Sequence, residues 1–145
     1  MSFVRLDRIN ATAHIESIVS AGDLLNGQFV ALGALQADGE ARLATPAGAG
    51  DIVFHASVPL QYDSLAEEKD FKLTAGKVGR GIVLTKGDIV SVLNTGALAE
   101  GDAVMSTENG FAVAVEPVAE GSVTGSVIAL ETMGNVGELA VIRIG

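Results

Sequence analysis

Short apolar segments separated by Gly-Asp and Asn-Gly dipeptides fill the centre of this chain. Four of them have the length of a strand and many β-branched residues, which favour extended backbone. They cover residues 82–84, 89–93, 103–105 and 111–115. Asn109-Gly110 lies between the last two and is a strong hairpin signal, because a type I′ turn needs positive φ at both central residues. The stretch predicts a compact antiparallel β-module.

The same alternation of apolar segments and turn residues continues on both sides of this module. Asn26-Gly27 predicts a second hairpin, between residues 24–25 and 28–32. Further strands are predicted at residues 51–58, 122–130 and 138–144. About ten strands, spaced by roughly 8–12 residues, are typical of a closed or sandwich-like all-β domain.

Residues 62–71 break this pattern. The segment is charged and contains no β-branched residue. Ser64 and Glu67 have the spacing of a helix capping box. We therefore expect a short helical turn there, as an excursion from the β-domain.

Four Gly-Asp pairs precede apolar segments, at Gly22-Asp23, Gly50-Asp51, Gly87-Asp88 and Gly101-Asp102. Glycine permits the turn conformation, and an aspartate side chain can accept a hydrogen bond from a backbone N–H two residues further on. Each pair therefore predicts a turn that starts a strand.

Composition narrows the class of protein. The chain has 145 residues, which suits one domain with a real core, and it has no Cys, so disulfides and thiolate metal sites are excluded. With no Trp and one Tyr, the core must consist mainly of Val, Ile, Leu and Ala. No apolar run approaches the ~20 residues of a membrane span. The net charge of −9 disfavours nucleic-acid binding, because an acidic surface repels phosphate.

The charges are unevenly distributed along the chain. Between residues 87 and 142 there is no Lys or Arg. Five of the nine basic residues instead form what we call the basic band, and they are Lys69, Lys72, Lys77, Arg80 and Lys86. Such separation suggests that the band and the acidic half of the chain face different neighbours in an assembly.

The N-terminal segment, residues 1–10, alternates apolar and charged side chains. It is either the first strand of the core sheet or an arm that adds a strand to a partner through main-chain hydrogen bonds. Two arginines in it would suit an acidic partner surface. The candidate contact residues are Phe3, Val4, Arg5, Leu6, Arg8 and Ile9.

No catalytic template fits the sequence. A Ser-His-acid triad would need His14 or His55, and no G-x-S-x-G elbow surrounds any Ser. His55 follows Phe54 in a predicted strand, so we expect its side chain to point away from the core, toward solvent or an interface. The glycine-rich residues 76–81 lack the spacing of a phosphate-binding loop. We expect no enzymatic activity, no cofactor and no metal site.

A family resemblance is carried by residues 70–92, DFKLTAGKVGRGIVLTKGDIVSV. This segment resembles the head decoration (capsid cement) proteins of tailed bacteriophages. The shared phrase is F-x-L-x-x-G followed by R-x-x-x-L-x-x-G-D, and here it runs from Phe71 to Asp88. Residues 101–111 are similar to a later hairpin of that family.

The resemblance implies an all-β fold, a small antiparallel β-barrel or β-tulip-like domain with one short helical excursion. Residues 1–12 would be an N-terminal arm and residues 13–145 a single β-domain. The implied function is structural: homotrimers at three-fold and quasi-three-fold positions clamp the major capsid protein, and the arm adds a strand to it. The protein would be made in the host cytoplasm and end on the capsid exterior, without binding nucleic acid or membrane.

Two other functions stay open from the sequence. One is another phage β-barrel component, such as a tail tube, connector or fibre-base protein, which would form rings or tubes. The other is a small ligand-binding barrel. The scarcity of Trp and Tyr weakens that alternative for sugar ligands, because sugars usually stack on these rings.

Overall fold

The computed structural model of the protein describes residues 3–9, 15–37, 39–45, 52–57, 72–115, 122–134 and 137–145. Within these ranges the chain is all-β, which confirms the fold class predicted from strand spacing. The strands are β1 (Val4–Arg8), β2 (Ile15–Ser20), β3 (Phe29–Leu35), β4 (Arg42–Thr45), β5 (Ile52–His55), β6 (Val78–Ile82), β7 (Ile89–Leu93), β8 (Ala103–Thr107), β9 (Gly110–Val113), β10 (Thr124–Met133) and β11 (Gly137–Ile144). The expected helical turn at residues 62–71 lies outside the described residues.

Five strands close into a barrel in the order β2-β4-β3-β5-β6. Strand β2 closes it by pairing antiparallel with β6 and parallel with β4. The other neighbouring pairs of the barrel are antiparallel. Closure matters because a closed barrel has no unpaired edge strand, whereas an open sheet has two.

The remaining six strands form an open antiparallel sheet in the order β1-β7-β11-β10-β8-β9. Strands β7 and β11 lie in the middle and carry buried residues such as Val90 and Ile142. Strands β1 and β9 are the two edges. Among the described strands, the free edges therefore belong to the sheet, and the barrel has none.

One core joins the barrel to the sheet. Phe29 and Phe54 come from the barrel, and their rings lie 5.1 Å apart. Phe111, from edge strand β9, packs edge-on against Phe29 at 5.0 Å. Buried sheet residues such as Val90 and Ile142 belong to the same cluster. Because both parts bury side chains in one core, they form one folding unit.

Two Gly-Asp pairs form the turns that precede β7 and β8, as the sequence predicts. In the first, Asp88 N donates to Thr85 O at 3.0 Å and Gly87 has φ of 98°. The aspartate contact differs from the prediction. Its Oδ2 accepts from the N–H of Thr85, three residues earlier, and not from one two residues later. Asp102 and Ala99 repeat this arrangement at 2.9 Å.

The Asn109-Gly110 dipeptide does connect a hairpin, formed by β8 and β9. The predicted type I′ turn is wrong, because Gly110 has φ of 118° and no described non-glycine residue has positive φ. A connection whose last residue is a left-handed glycine explains this geometry without strain at Asn109.

The hairpin predicted at Asn26-Gly27 is wrong. A turn does form there, with Gly27 at φ 97°. Leu24, however, forms an isolated antiparallel bridge with Leu73, and Gly27 N donates to the carbonyl of His55 on β5. The turn was predicted at the correct position, but the segment before it pairs with distant Leu73, and β3 after it pairs with β4 and β5.

Candidate interaction surface

The N-terminal segment forms edge strand β1, which is one of the two placements that the sequence left open. Strand β1 pairs antiparallel with β7, with Val4 opposite Val92 and Leu6 opposite Val90. The register shifts between Leu6 and Arg8, which marks a β-bulge at Asp7. In the described part of the chain, no strand pairs with the other side of β1.

The backbone groups on that outer side can be assigned from one hydrogen bond. Leu93 N donates to Phe3 O at 3.0 Å, so these two residues face each other as a hydrogen-bonded pair. Hydrogen-bonded and non-hydrogen-bonded pairs alternate in an antiparallel ladder. The next hydrogen-bonded pair is therefore Arg5 with Ser91. The N–H and C=O groups of Val4 and Leu6 consequently point outward, away from β7.

The side chains of β1 divide between the two faces of the sheet. Phe3 is buried, and Val4 and Leu6 are half-buried against the shared core. Arg8 is exposed, and Ile9, just beyond the strand, is half-buried. All six residues predicted as partner contacts thus lie on or beside one edge strand. Phe3, Val4 and Leu6 also anchor that strand in its own protein, through buried contacts.

Arg5 lies on the face of the sheet opposite Val4 and Leu6, where its side chain links several strands. Its Nε donates to Asp7 Oδ1 at 2.5 Å, and its Nη2 donates to Glu131 Oε2 at 2.6 Å. Ser91, which is fully buried, donates from Oγ to Asp7 Oδ2 and accepts from Arg5. The hydrogen bond to Asp7, followed by that to Glu131, raises the pKa of the Arg5 guanidinium. Arg5 is therefore a permanent cation that ties β1 to β10.

The structure distributes the basic band over both parts of the fold. Lys72 is exposed near the Leu24–Leu73 bridge, and its Nζ lies 3.3 Å from Asp23 Oδ2. The Ala75 N–H, and then Lys72, lower the pKa of Asp23.

The other members of the band differ from Lys72 in their surroundings. Lys77 is exposed beside the start of β6, and Arg80 on β6 donates from Nε to the carbonyl of Ala56 at 2.8 Å. Lys86 belongs to the turn before β7 of the sheet. Lys69 lies outside the described residues. Members of the band therefore have both structural and surface roles.

His55 is fully buried, which corrects the expectation that it faces solvent or an interface. Its Nδ1 lies 2.9 Å from the carbonyl of Leu25, and its Nε2 lies 2.7 Å from Ser57 Oγ. A carbonyl can only accept, so the proton is on Nδ1 and Ser57 donates to Nε2. The side chain is buried on the face of β5 opposite Phe54, where Leu25 and Ser57 supply its polar partners. His14 lies outside the described residues.

The surroundings of His55 favour its neutral form. Burial lowers the pKa of the imidazole; the hydrogen bond with Leu25 acts in the opposite direction, and the charge of Arg80 lowers the pKa further. Ser57 resembles a nucleophile beside a base, but it is only 8% exposed and its Oγ also accepts from the Arg80 N–H at 3.1 Å. The pair is thus built as a buried hydrogen-bond network. The sequence feature that could have indicated this network is the separation of His55 from Ser57 by a single residue.

A small cleft lies where the barrel meets the end of the sheet. Its volume is about 200 Å³, and its wall includes Phe3, Asn26, Asn94 and Gly110. Two of its polar side chains are occupied: Asn26 bonds to the backbone of Ser57, and Asn94 bonds to backbone and side-chain groups nearby. The cleft is smaller than the ~300–1,000 Å³ typical of small-molecule sites. Asn26 and Asn94 act there as structural supports.

The comparisons with known proteins give no family assignment. No protein-family model matches the chain, and a search of curated proteins finds no similar sequence. Across the residues that the structure describes, no three or more His, Cys, Asp or Glu side chains are grouped so as to hold a metal ion. The same residues include no helix with the length and apolar character needed to cross a membrane.

Proposed function

We propose that this protein is a capsid decoration protein, which binds the outside of a phage shell and stabilises the lattice. The observation that carries the proposal is the outer edge of β1, which no described strand pairs with and which lies in the segment that the family resemblance assigns to capsid contact. The outward N–H and C=O groups of Val4 and Leu6 are suited to binding an extended strand of the major capsid protein. Main-chain pairing of this kind is a common mode of protein recognition.

Side chains beside the edge favour an acidic or mixed partner. Arg8 is exposed on β1, whereas Arg5 is already paired with Asp7 and Glu131. On β1 itself, an approaching capsid strand would therefore meet the Arg8 cation and a row of backbone groups. The bulge at Asp7 ends the regular part of the edge and limits pairing to a few residues.

A trimer makes such a short contact effective. Each hydrogen bond contributes about 0.5–1.5 kcal/mol net. A single edge of two outward residues would then bind weakly. Three copies bound to one lattice position act together, because the second and third contacts form at high effective concentration. We propose a homotrimer at three-fold and quasi-three-fold positions for this reason.

The proposed role is non-enzymatic. The polar pair that most resembles catalytic machinery, His55 with Ser57, is buried and has its hydrogen-bonding groups engaged within the protein. Such networks rigidify a core. No cofactor, nucleic acid or membrane is required for lattice binding, and the proposed location is the capsid exterior.

Co-sedimentation with expanded shells of the cognate phage, combined with light scattering of the free protein, tests this function. We expect a trimer in solution that pellets with shells in saturable amounts. A ring or tube that does not bind shells would favour a tail or connector component. A monomer that binds a small molecule and does not bind shells would favour the ligand-binding barrel. Either result would reject the decoration role.

A further inference from the structure

The chain contains two described Asn-Gly dipeptides whose surroundings differ sharply. Asn-Gly is the dipeptide most prone to deamidation, because glycine has no Cβ to hinder attack by its backbone nitrogen on the Asn side chain. Asn26-Gly27 lies between β2 and β3, and Asn109-Gly110 lies at the tip of the β8–β9 hairpin. Their common chemistry makes them an internal comparison.

Asn26 is held in place by its neighbours. Its Nδ2 donates to Ser57 O and its Oδ1 accepts from Ser57 N, both at 2.9 Å. The nitrogen that would attack, Gly27 N, donates to the carbonyl of His55 at 2.9 Å. For the side-chain carbon to reach Gly27 N, all three hydrogen bonds must break together.

The side chain of Asn109 has no comparable restraint, although Gly110 pairs with Thr107 in the β8–β9 ladder. Asn109 is exposed, and its backbone N–H donates to Thr107 Oγ1 at 3.3 Å. Its side-chain amide makes no hydrogen bond within the described part of the chain. Gly110 is buried beside the Gly27 carbonyl, so reaction requires the hairpin tip to lift. Strand β9 has four residues and lies at the sheet edge, where opening costs least free energy.

We propose that Asn109 is a site of spontaneous deamidation in the folded protein and that Asn26 is protected. Gly110 N loses its proton and forms a bond to Asn109 Cγ, while the bond from Cγ to Nδ2 breaks and ammonia leaves. Water then opens the resulting succinimide at either carbonyl. One product is aspartate and the other is isoaspartate, in which the main chain runs through the former side chain.

The modification would alter the joint between sheet and barrel. Both products add a negative charge at the tip, and isoaspartate also lengthens the backbone by one carbon before Gly110. That residue packs against Gly27, and the next residue, Phe111, contacts Phe29. The modified hairpin would therefore fit its partner surfaces less well, and the protein would lose stability as it ages.

Incubation of the full chain at mildly alkaline pH, followed by peptide mapping by mass spectrometry, tests the proposal. We expect Asp and isoAsp to accumulate at residue 109 several-fold faster than at residue 26. In urea the two rates should converge, because the contacts that protect Asn26 are lost. Equal rates in the folded protein, faster reaction at Asn26, or no reaction at Asn109 while both react in urea would each overturn it. Asn109→Gln should abolish the signal at residue 109 and leave that at residue 26 unchanged.

Discussion

Arg5 on β1 donates a 2.6 Å hydrogen bond to Glu131 on β10, although β7 and β11 lie between these strands in the sheet. The guanidinium crosses the face of the sheet above Ser91, which is opposite Arg5 in the β1–β7 register. An edge strand is thereby fastened to the interior of its sheet by a side chain as well as by its ladder. This contact explains how β1 stays ordered while its outer edge remains unpaired in the described structure.

Glu131→Gln is expected to lower the free energy of unfolding by up to about 1 kcal/mol, because exposed ion pairs contribute about that much or less. The loss should shrink at high salt, which screens charges near the surface. Urea titration at low and high salt measures both effects. Glu100→Gln is the matched control, since Glu100 is exposed and forms no ion pair with described residues. An equal loss in both variants would contradict a specific tie to Arg5.

Gly79→Ala is expected to cost about 1–3 kcal/mol, the usual penalty for overpacking a filled site. A Cβ at this position would lie 2.5 Å from Leu73 Cδ2 and 2.6 Å from Ser57 Oγ. Thermal or urea unfolding measures the loss. Gly22→Ala is the control, because nothing lies within 4 Å of its added Cβ and its φ is not positive. Unchanged stability of Gly79→Ala would show that β6 does not pack over Ser57.

The two Gly-Asp turns allow a matched comparison. Asp88 is 5% exposed and accepts from both the N–H and the hydroxyl of Thr85, whereas Asp102 accepts from the N–H of Ala99 in a more exposed turn. Asp88→Ala should cost about 1–3 kcal/mol, because it removes two hydrogen bonds accepted by a buried carboxylate, and hydrogen bonds to charged groups contribute more than neutral ones. Asp102→Ala should cost less. The reverse order, measured by urea unfolding, would contradict the difference in burial.

Stability should fall on acidification because of His55. The folded state holds this imidazole neutral with a lowered pKa, so the unfolded chain binds the proton more readily. The contribution is fully present above the ordinary pKa of about 6.5. It is lost as pH falls from there through the folded value. Asp23 also has a lowered pKa. Protonation of its carboxylate should therefore reduce stability further, below about pH 3.9.

Urea unfolding between pH 8 and pH 4 measures this dependence. His55→Gln should be less stable at neutral pH but should show a flatter profile across the range in which histidine titrates. A profile as steep as that of the wild type would assign the pH dependence to other groups.

Local features of the fold were readable from the sequence, and distant pairings were not. Strand β7 was predicted with its observed bounds, and the Asn109-Gly110 hairpin and two of the four Gly-Asp turns, before β7 and β8, were predicted at their positions. Each depends on a few neighbouring residues whose backbone preferences are strong. Strand β6 was misplaced, since it covers Val78–Ile82, where glycines weaken the strand signal.

The N-terminal strand was predictable from the sequence, but its place in the sheet was not. Alternation at residues 3–9 indicated a strand, yet nothing local could say that its partner would be β7. The burial of His55 was missed because alternation predicts that one face of a strand points toward solvent. In β5, residues on both faces are buried. The parallel pairing of β2 with β4 could not be predicted from local sequence either, because it depends on how all five strands close into the barrel.

Deleting the N-terminal segment would be an ambiguous test of capsid binding, because it would also remove buried Phe3 and the edge of the sheet. Leu6→Pro is cleaner. The N–H of Leu6 points away from β7, so proline removes a donor from the outer edge and spares the internal ladder, and edge strands tolerate it there. Leu6→Val is the control, because it shortens the side chain and keeps the N–H.

The measurement that tests the central claim most directly is the binding isotherm of Leu6→Pro and Leu6→Val on expanded capsid shells, with folding and oligomeric state verified first. The account predicts that Leu6→Val binds like the wild type. Leu6→Pro should lose at least about ten-fold in affinity, which corresponds to about 1.4 kcal/mol. Wild-type affinity for a folded Leu6→Pro protein would contradict strand pairing along β1.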